Sequence, residues 1–274
     1  MKRIFFILTS LLLSCSNEGN ITSEDLTNNQ LKGNVKSVKV STYEAIEKFD
    51  KIVKGKQILG KYETIDITEF DKFGKISTIS SYDKQGLFDG KSVYTYKNNH
   101  IDQIISYNSN GNMSGKSVHN WENDLLSSII IYDSKGREGG KTINEYNGNK
   151  LKTISIYVFG QLRQKSVVTE YEGNLAKEII SYDRNGKETH RNINDYKNGK
   201  LSLSSTANGT YAVNEDGLTI KSIDCYKVLD NYSEEIKGFF IYKYEYDKKG
   251  NWIRCIVYRN ERPYRIVERE ILYR

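Results

Sequence analysis

Hydrophobic and polar residues alternate along this chain in a pattern that returns every 25 positions. Each unit holds two segments, and each segment carries a β-branched residue, two variable residues and then an aromatic residue. Between turns, about seven to nine residues remain, which suits a strand and is too short for a stable helix. The segments end in Asn, Asp and Gly, which tolerate left-handed φ and close tight hairpins. The pattern therefore predicts a β-hairpin in each unit and a repeat architecture for the chain.

Two aromatic series mark the units. The first consists of Tyr82, Tyr107, Tyr132, Tyr157 and Tyr182, and the second of Tyr96, Trp121, Tyr146, Tyr171 and Tyr196. Because positions three apart in a strand point to opposite faces, we expect the β-branched residues, beginning with Ile79 and Val93, on one face. Both aromatic series would then lie on the other face. Neither face is fully apolar, since polar and charged residues interrupt both.

The expected fold is all-β, with antiparallel β-hairpin repeats of 25-residue period that form a long twisted single-layer or coiled meander sheet. A flat sandwich would need one strongly apolar face, and a membrane barrel would need a continuous outward apolar band. Regular repeats cover about residues 66–204, with atypical capping hairpins at both ends. Residues 43–60 do not match the pattern, so we expect a longer loop in the first hairpin. Whether the sheet closes or coils stays open.

The first fifteen residues have the features of an export signal. Met1-Lys2-Arg3 is basic, and the apolar run 4–13 is too short to span a bilayer. Leu12-Leu13-Ser14-Cys15 resembles a bacterial lipobox, which predicts a signal peptide over residues 1–14 and lipidation of Cys15. Residues 15–30 would be a polar tether, and 31–274 a single β-repeat domain. The alternatives are an ordinary signal peptide cut near Ser14 or a short anchor.

The composition of the chain limits the classes of partner that we expect it to bind. The 274 residues include 21 tyrosines and one proline, and the formal net charge is +6 at pH 7. The lysines are scattered through turns and strand ends rather than clustered, so we expect no nucleic-acid partner. The lipobox predicts a cell-envelope location at the outer membrane, with the lipid anchor as the membrane contact.

Two cysteines would remain beside Cys15, namely Cys225 and Cys255. An even pair in an oxidising compartment suggests a disulfide. In a simple meander, however, one strand separates the two, which places them about 9.6 Å apart across the sheet. Disulfides need Cα atoms within about 7 Å. We therefore expect no disulfide and two buried thiols.

Few residues are arranged for catalysis. His100, His119 and His190 form no metal-binding spacing, and nucleophile-elbow, P-loop and zinc-protease motifs are absent from the sequence. Asp83 and its equivalents are expected to form Asx turns. We therefore expect no catalytic residues, no metal, no cofactor and no enzymatic activity.

Aromatic side chains are the candidate binding residues. They are Tyr94, Tyr96, Trp121, Tyr146, Tyr171 and Tyr196. Exposed aromatic rings can stack on sugars or anchor a protein partner. The alternative is that these rings only stabilise the sheet through cross-strand packing.

The turns at Tyr82, Tyr132, Tyr182 and Tyr246 have the form Tyr-Asp-x-x-Gly and resemble YD (RHS-type) repeats. Residues 31–38 and 246–253 look like the ends of YD-repeat lipoproteins of Bacteroidota. The chain is more distantly similar to MORN-like repeat proteins of the YwqK antitoxin family. These resemblances imply a β-sheet scaffold that binds carbohydrate or protein, and they bring no catalytic residues.

The expected function is therefore that of a cell-envelope lipoprotein that binds a protein or glycan partner without catalysis. The alternative is an immunity or antitoxin-like protein that neutralises a toxin.

Overall fold

The computed structural model describes residues 29–58, 65–83, 85–206, 209–214, 218–227 and 235–274. The predicted signal peptide (1–14), the lipidation residue Cys15 and most of the tether (15–30) lie outside these residues. The described residues form 19 β-strands and no helix, which confirms the expectation of an all-β antiparallel protein. In that part of the chain there is likewise no helix with the length and hydropathy needed to cross a bilayer.

The strands follow one another with short connections. They are β1 (Val35–Lys48), β2 (Lys51–Ile58), β3 (Ile65–Phe70), β4 (Ile76–Tyr82), β5 (Phe88–Lys97), β6 (His100–Asn108), β7 (Met113–Glu122), β8 (Leu125–Asp133), β9 (Glu138–Asn147), β10 (Lys150–Val158), β11 (Gln161–Glu172), β12 (Leu175–Asp183), β13 (Glu188–Lys197), β14 (Lys200–Thr206), β15 (Gly209–Val213), β16 (Thr219–Lys227), β17 (Glu235–Tyr246), β18 (Trp252–Arg259) and β19 (Arg262–Tyr273).

The sheet closes into a barrel. Each strand from β3 to β19 pairs antiparallel with the next, and β1 pairs with both β19 and β3. The ring therefore contains 18 of the 19 strands, and β2 lies outside it. The expectation of a long, open or coiled meander sheet is wrong on this point. Strand twist curls a sheet this long, and closure gives its two edge strands their hydrogen-bond partners.

Burial distinguishes the two faces of the barrel wall. The face we call inner carries most of the buried strand residues, because curvature crowds side chains on the concave side. Its buried members include Val38, Phe70, Ser166, Ser181, Asn194, Ser204, Phe240, Cys255 and Val257. The outer face carries repeated lysines, such as Lys91 and Lys116, each over a tyrosine ring of the next strand.

The predicted division into a β-branched face and an aromatic face is wrong. Ile79 pairs with Ser92 rather than with Val93, so it shares the inner face with Tyr94 and Tyr96. Val93 lies on the outer face with the first aromatic series. Facing is set by cross-strand register, which depends on turn length and cannot be counted along one strand. Each face therefore carries both β-branched and aromatic residues, and Val168, which pairs with Ile179, lies on the inner face.

The first hairpin contains an extra strand instead of the expected long loop. Strand β1 is irregular between Tyr43 and Ala45 and continues beyond the ring, where it pairs with β2. The hairpin contacts the outer side of the barrel, where Lys54 Nζ lies 2.9 Å from Glu268 Oε2. The Arg254 Nη2 atom donates a hydrogen bond to the Ile52 carbonyl, at 3.1 Å.

Two kinds of turn form the two rims of the barrel. We call the rim that follows the odd-numbered strands from β3 to β19 the terminal rim, because β1 begins there and β19 ends there. The other is the distal rim, where Asp83, Asp133 and Asp183 each accept backbone N–H bonds two and four residues on, which confirms the Asx turns. Two-residue turns dominate the terminal rim, for example Asn98-Asn99 and Asn123-Asp124, in which both residues have positive φ.

The two sequence segments that resemble lipoprotein ends meet at the terminal rim. Asn251 is fully buried in the β17–β18 turn. Its side chain accepts from Lys32 N at 2.6 Å and donates to Lys32 O at 2.9 Å. It also donates to the Tyr273 hydroxyl, which in turn donates to Asp247. We call Lys32, Asp247, Asn251 and Tyr273 the closure network, because it joins the segment before β1 to the end of β19.

The cysteines lie far apart along the sheet. Cys225 pairs with Lys237, and Cys255 pairs with Tyr244, seven residues further along the intervening strand β17. Seven residues of strand span about 23 Å, well beyond disulfide reach. The Cys255 thiol is free and buried, whereas the Cys225 side chain lies outside those that the structure describes. The absence of a disulfide stays a prediction. The separation along β17 supports it more strongly than the spacing between strands does.

Candidate functional site

The second aromatic series forms a row along the terminal rim. These residues lie on every second strand, so neighbouring rings are separated by about 9.6 Å. Each ring reaches back over the preceding strand and donates a hydrogen bond to the carbonyl 20 residues earlier. The pairs are Tyr96 to Ile76 (3.0 Å), Trp121 to Ile101 (2.9 Å), Tyr146 to Leu126 (3.1 Å), Tyr171 to Leu151 (2.6 Å) and Tyr196 to Ala176 (2.7 Å). This row therefore has a structural role in every unit.

The rings of this row are also partly covered. Lys75 lies 4.8 Å from the Tyr96 ring centre, and Lys150 lies 5.3 Å from that of Tyr171. His100 stacks on Trp121, with ring centres 4.2 Å apart and planes at 19°. Tyr94 is half-buried, on the inner face two residues before Tyr96. The structure thus does not bring the six candidate aromatics together as one exposed strip.

One member of the row, Trp121, lines a recess of about 390 Å³ at the terminal rim. The recess lies where the β5–β6 and β7–β8 turns are neighbours. Its walls combine one indole, two imidazoles, two carboxylates, three amides, a lysine and an isoleucine. The lining residues are Lys97, Asn98, His100, Ile101, Asp102, His119, Asn120, Trp121, Asn123 and Asp124.

Hydrogen bonds fix the geometry of the recess. The His100 Nε2 atom lies 3.0 Å from Asp124 Oδ1, which joins the two turns across the Trp121 ring. The His119 Nε2 atom lies 3.2 Å from Ser117 Oγ. Burial lowers the pKa of His119, against the opposing pull of the Asp102 charge. At neutral pH, His119 is therefore an uncharged hydrogen-bonding group in the wall of the recess.

The described groups of the recess can contact a ligand through hydrogen bonds and aromatic stacking. Ser117 and His119 touch, but among the described contacts no carboxylate orients the second imidazole nitrogen of His119, as a nucleophilic triad requires. In the described part of the chain, no group of three or more His, Cys, Asp and Glu side chains could hold a metal ion. The recess is mainly polar with one fixed aromatic ring, whereas most small-ligand sites are lined mainly by apolar side chains.

The sequence predicts Trp121 as a candidate binding residue. It does not predict the other residues of the recess, above all His100, Asp102 and Asp124. A signal for His100 exists in the repeat itself. The residue 21 positions before an aromatic of the second series is the one that stacks on it, as Lys75, His100 and Lys150 show. His100 is the only imidazole at this position, which marks the unit as different from its neighbours.

Comparisons with known proteins identify no family. No family model and no curated protein matches this sequence. The crystal structure of a porin-like protein from Bacteroides uniformis ATCC 8492 aligns over 87% of this chain and 96% of that chain, at 12% identity and a TM-score of 0.40. The crystal structure of TcdB2-TccC3-Cdc42 aligns over 81% of this chain, at 10% identity and a TM-score of 0.17, and this chain covers 18% of that one. Likenesses this distant assign this chain to no family and to no role.

Proposed function

We propose that this chain is an envelope lipoprotein whose barrel binds a saccharide, without catalysis, in the recess around Trp121. The observation that carries the proposal is the composition of that recess. An indole is held in place by a hydrogen bond to Ile101 and by stacking with His100. Carboxylates and amides surround it, and these are the groups that bind sugar hydroxyls. The YD-repeat resemblance implies carbohydrate or protein binding, or toxin encapsulation, and the first of these is consistent with this site.

The repeat provides a matched pair of variants to test this function. Trp121 and Tyr146 occupy equivalent positions and make the same structural hydrogen bond, but only Trp121 lines the recess. Glycan arrays would first select a ligand for the wild-type chain, and calorimetry would then measure its affinity. We expect Trp121→Ala to weaken binding about tenfold or more, which is ~1.4 kcal/mol, and Tyr146→Ala to leave it nearly unchanged.

Two outcomes would contradict saccharide binding. One is a wild-type chain that binds no glycan on a broad array. The other is an equal loss of affinity in Trp121→Ala and Tyr146→Ala, because that result would trace the effect to the shared structural role of the aromatic row.

The proposed lipid anchor is consistent with the position of the terminal rim. The first described residues, from Asn29, lie at this rim. A tether of 15 residues from Cys15 could extend at most about 50 Å, so the recess would lie close to the membrane surface. We expect Cys15→Ala to move the protein from the membrane fraction to the aqueous fraction. Retention of Cys15→Ala in the membrane fraction would contradict lipid anchoring.

Lysines on the outer face support the proposal that water surrounds the barrel wall. Lys91, Lys116 and Lys243 lie within strands on this face, each over a tyrosine ring. A lysine that faces lipid at the bilayer midplane costs roughly 2–4 kcal/mol. These lysines support the proposal that the tether, and not the barrel wall, attaches the chain to the membrane.

A protein partner is the second candidate, and it includes the immunity-like function. The distal side of the molecule exposes large apolar residues at its turns, led by Phe49 (98% exposed), Phe159 (77%) and Leu87 (65%). Exposed aromatic side chains of this kind often anchor protein interfaces. A partner captured by the wild-type chain, but equally by a Phe49→Ser, Phe159→Ser double variant, would rule out this surface.

A further inference from the structure

The β18–β19 hairpin carries three arginines on the inner face of the barrel. Val257 pairs directly with Arg265, so these two side chains share a face. Arg259 lies two residues beyond Val257, and Arg269 lies four residues beyond Arg265. Side chains two or four residues apart in a strand point to the same side, which places Arg259, Arg265 and Arg269 on one face of the hairpin. We call these three residues the arginine cluster.

Aromatic rings support the guanidinium groups. The guanidinium carbons of Arg265 and Arg259 lie 4.7 Å and 5.7 Å from the centre of the Tyr264 ring. The Arg269 guanidinium carbon lies 3.7 Å from the centre of the Trp252 ring. Arg265 Nη2 also donates a hydrogen bond to the Tyr264 hydroxyl, at 2.9 Å. These contacts hold the planar groups against aromatic rings.

Several donors of the cluster have no acceptor among the residues that the structure describes. Among the described residues, the Nε atoms of Arg259, Arg265 and Arg269, and Nη1 of Arg269, are buried without a hydrogen-bond partner. Burial lowers the pKa of Arg269 to about 10. A buried donor without a partner destabilises the fold, and so does repulsion between neighbouring positive charges.

Glu268 and Glu44, two described carboxylates beside the hairpin, form no ion pair with the cluster. Glu268 lies on the outer face, where it contacts Lys54 and Arg254. Glu44 is the cross-strand neighbour of Arg265 on β1, but it is exposed. None of the ion pairs between described residues includes a member of the arginine cluster.

We propose that the arginine cluster is a binding site, inside the barrel, for the anionic group of a small ligand. The group is a phosphate, sulfate or carboxylate, because guanidinium edges match the planar or tetrahedral oxygens of these anions. The ligand is either a free inorganic anion or an acidic saccharide, and the two share the same recognition chemistry. The site is independent of the recess around Trp121, which lies on β5–β8.

Calorimetric titration of the full mature chain in detergent tests this site. The probes are sodium phosphate, sodium sulfate and an oligogalacturonate, each compared with sodium chloride at equal ionic strength. We expect at least one probe to bind, with its Kd raised about tenfold in Arg265→Gln and in Arg269→Gln, because each variant removes charge-assisted hydrogen bonds. Tighter binding of inorganic anions supports a free anion as the ligand, and tighter binding of oligogalacturonate supports an acidic saccharide.

Controls separate the site from general charge and from folding. Arg184→Gln removes the same charge from an exposed turn and should leave the Kd unchanged. Arg265→Lys keeps the charge but loses the planar fork, so a folded Arg265→Lys chain should still bind the probe more weakly. The site is refuted if no probe binds above chloride, or if Arg184→Gln weakens binding as much as the cluster variants.

Discussion

At the scale of single residues, one aromatic position does two different things in this protein. In most units the second-series aromatic ties one strand to the carbonyl of the preceding strand. Trp121 keeps that bond and also lines a recess, because its stacking partner is His100 and its neighbouring turn contributes Asp124. Equivalent residues can therefore differ in function while their structural role stays the same.

The buried thiol of Cys255 gives a prediction at this scale. Burial raises the pKa of Cys255 to about 11, so little thiolate forms at pH 8. We expect Ellman's reagent to react slowly with Cys255 in the folded chain. In the unfolded, non-reduced Cys15→Ser chain, it should detect two thiols, from Cys255 and Cys225. Detection of none would show a disulfide and contradict the separation of about 23 Å along β17.

At the scale of elements, the turns do more than connect neighbouring strands. Asx turns and two-residue turns set the register of each hairpin, and the register places side chains on the inner or outer face. The β17–β18 turn has an additional role. The Asn251 side chain forms hydrogen bonds with the backbone N–H and carbonyl of Lys32, as a neighbouring strand would. One side chain thus connects residues 219 positions apart in the sequence.

Substitution of Asn251 tests this connection. Asn251→Ala leaves the backbone N–H and carbonyl of Lys32 without their partner, so we expect a loss of about 1–3 kcal/mol in the free energy of unfolding. Asn112 occupies the same position in the β6–β7 turn but is exposed, which makes Asn112→Ala the matched control. Urea denaturation measures both. Equal effects of the two substitutions would show that Asn251 acts only within its own turn.

At the scale of the whole molecule, closure depends on residues at the two ends of the chain. Strand β1 completes the ring by pairing with β19 on one side and β3 on the other. Arg274 reinforces the same junction, because its side chain donates to the carbonyls of Val35 and Phe70. Without β1, the strands β3 and β19 would be exposed edges.

The closure network predicts how stability depends on pH. Burial raises the pKa of Asp247, but hydrogen bonds from Tyr273, Asn251 and Lys249 outweigh it and leave the pKa below 3.8. The stabilisation is therefore present above pH 3.8 and is lost as the pH falls through the lowered pKa. Burial and the Asp247 bond raise the pKa of Tyr273 from 10.0 to about 12, so stability should also fall between those values.

Urea denaturation midpoints at pH 3, pH 6 and pH 11 test the loss of stability on the acid side and on the alkaline side, which we call the acid limb and the alkaline limb. We expect the wild-type chain to be most stable at pH 6. Asp247→Asn should flatten the acid limb, and Tyr273→Phe should flatten the alkaline limb. If both variants keep the wild-type profile, other groups control the pH dependence.

Sequence alone determined the local features of this protein. Strand lengths, Asx turns at Asp83 and its equivalents, and an all-β antiparallel class follow from residue type and spacing, because these properties depend on near neighbours. Trp121 could be selected as a candidate for the same reason, since it is the one tryptophan in a tyrosine series.

Tertiary structure decided everything that depends on contacts between distant segments. The pairing of β1 with β19 closes the barrel, and no periodic pattern encodes which strand a terminal strand will meet. The register of Ile79 with Ser92 set which face each series occupies. The recess of His100, Trp121 and Asp124 joins two successive hairpins, and the arginine cluster lies on a single hairpin. Both depend on strand register, because the register sets the face on which each side chain lies.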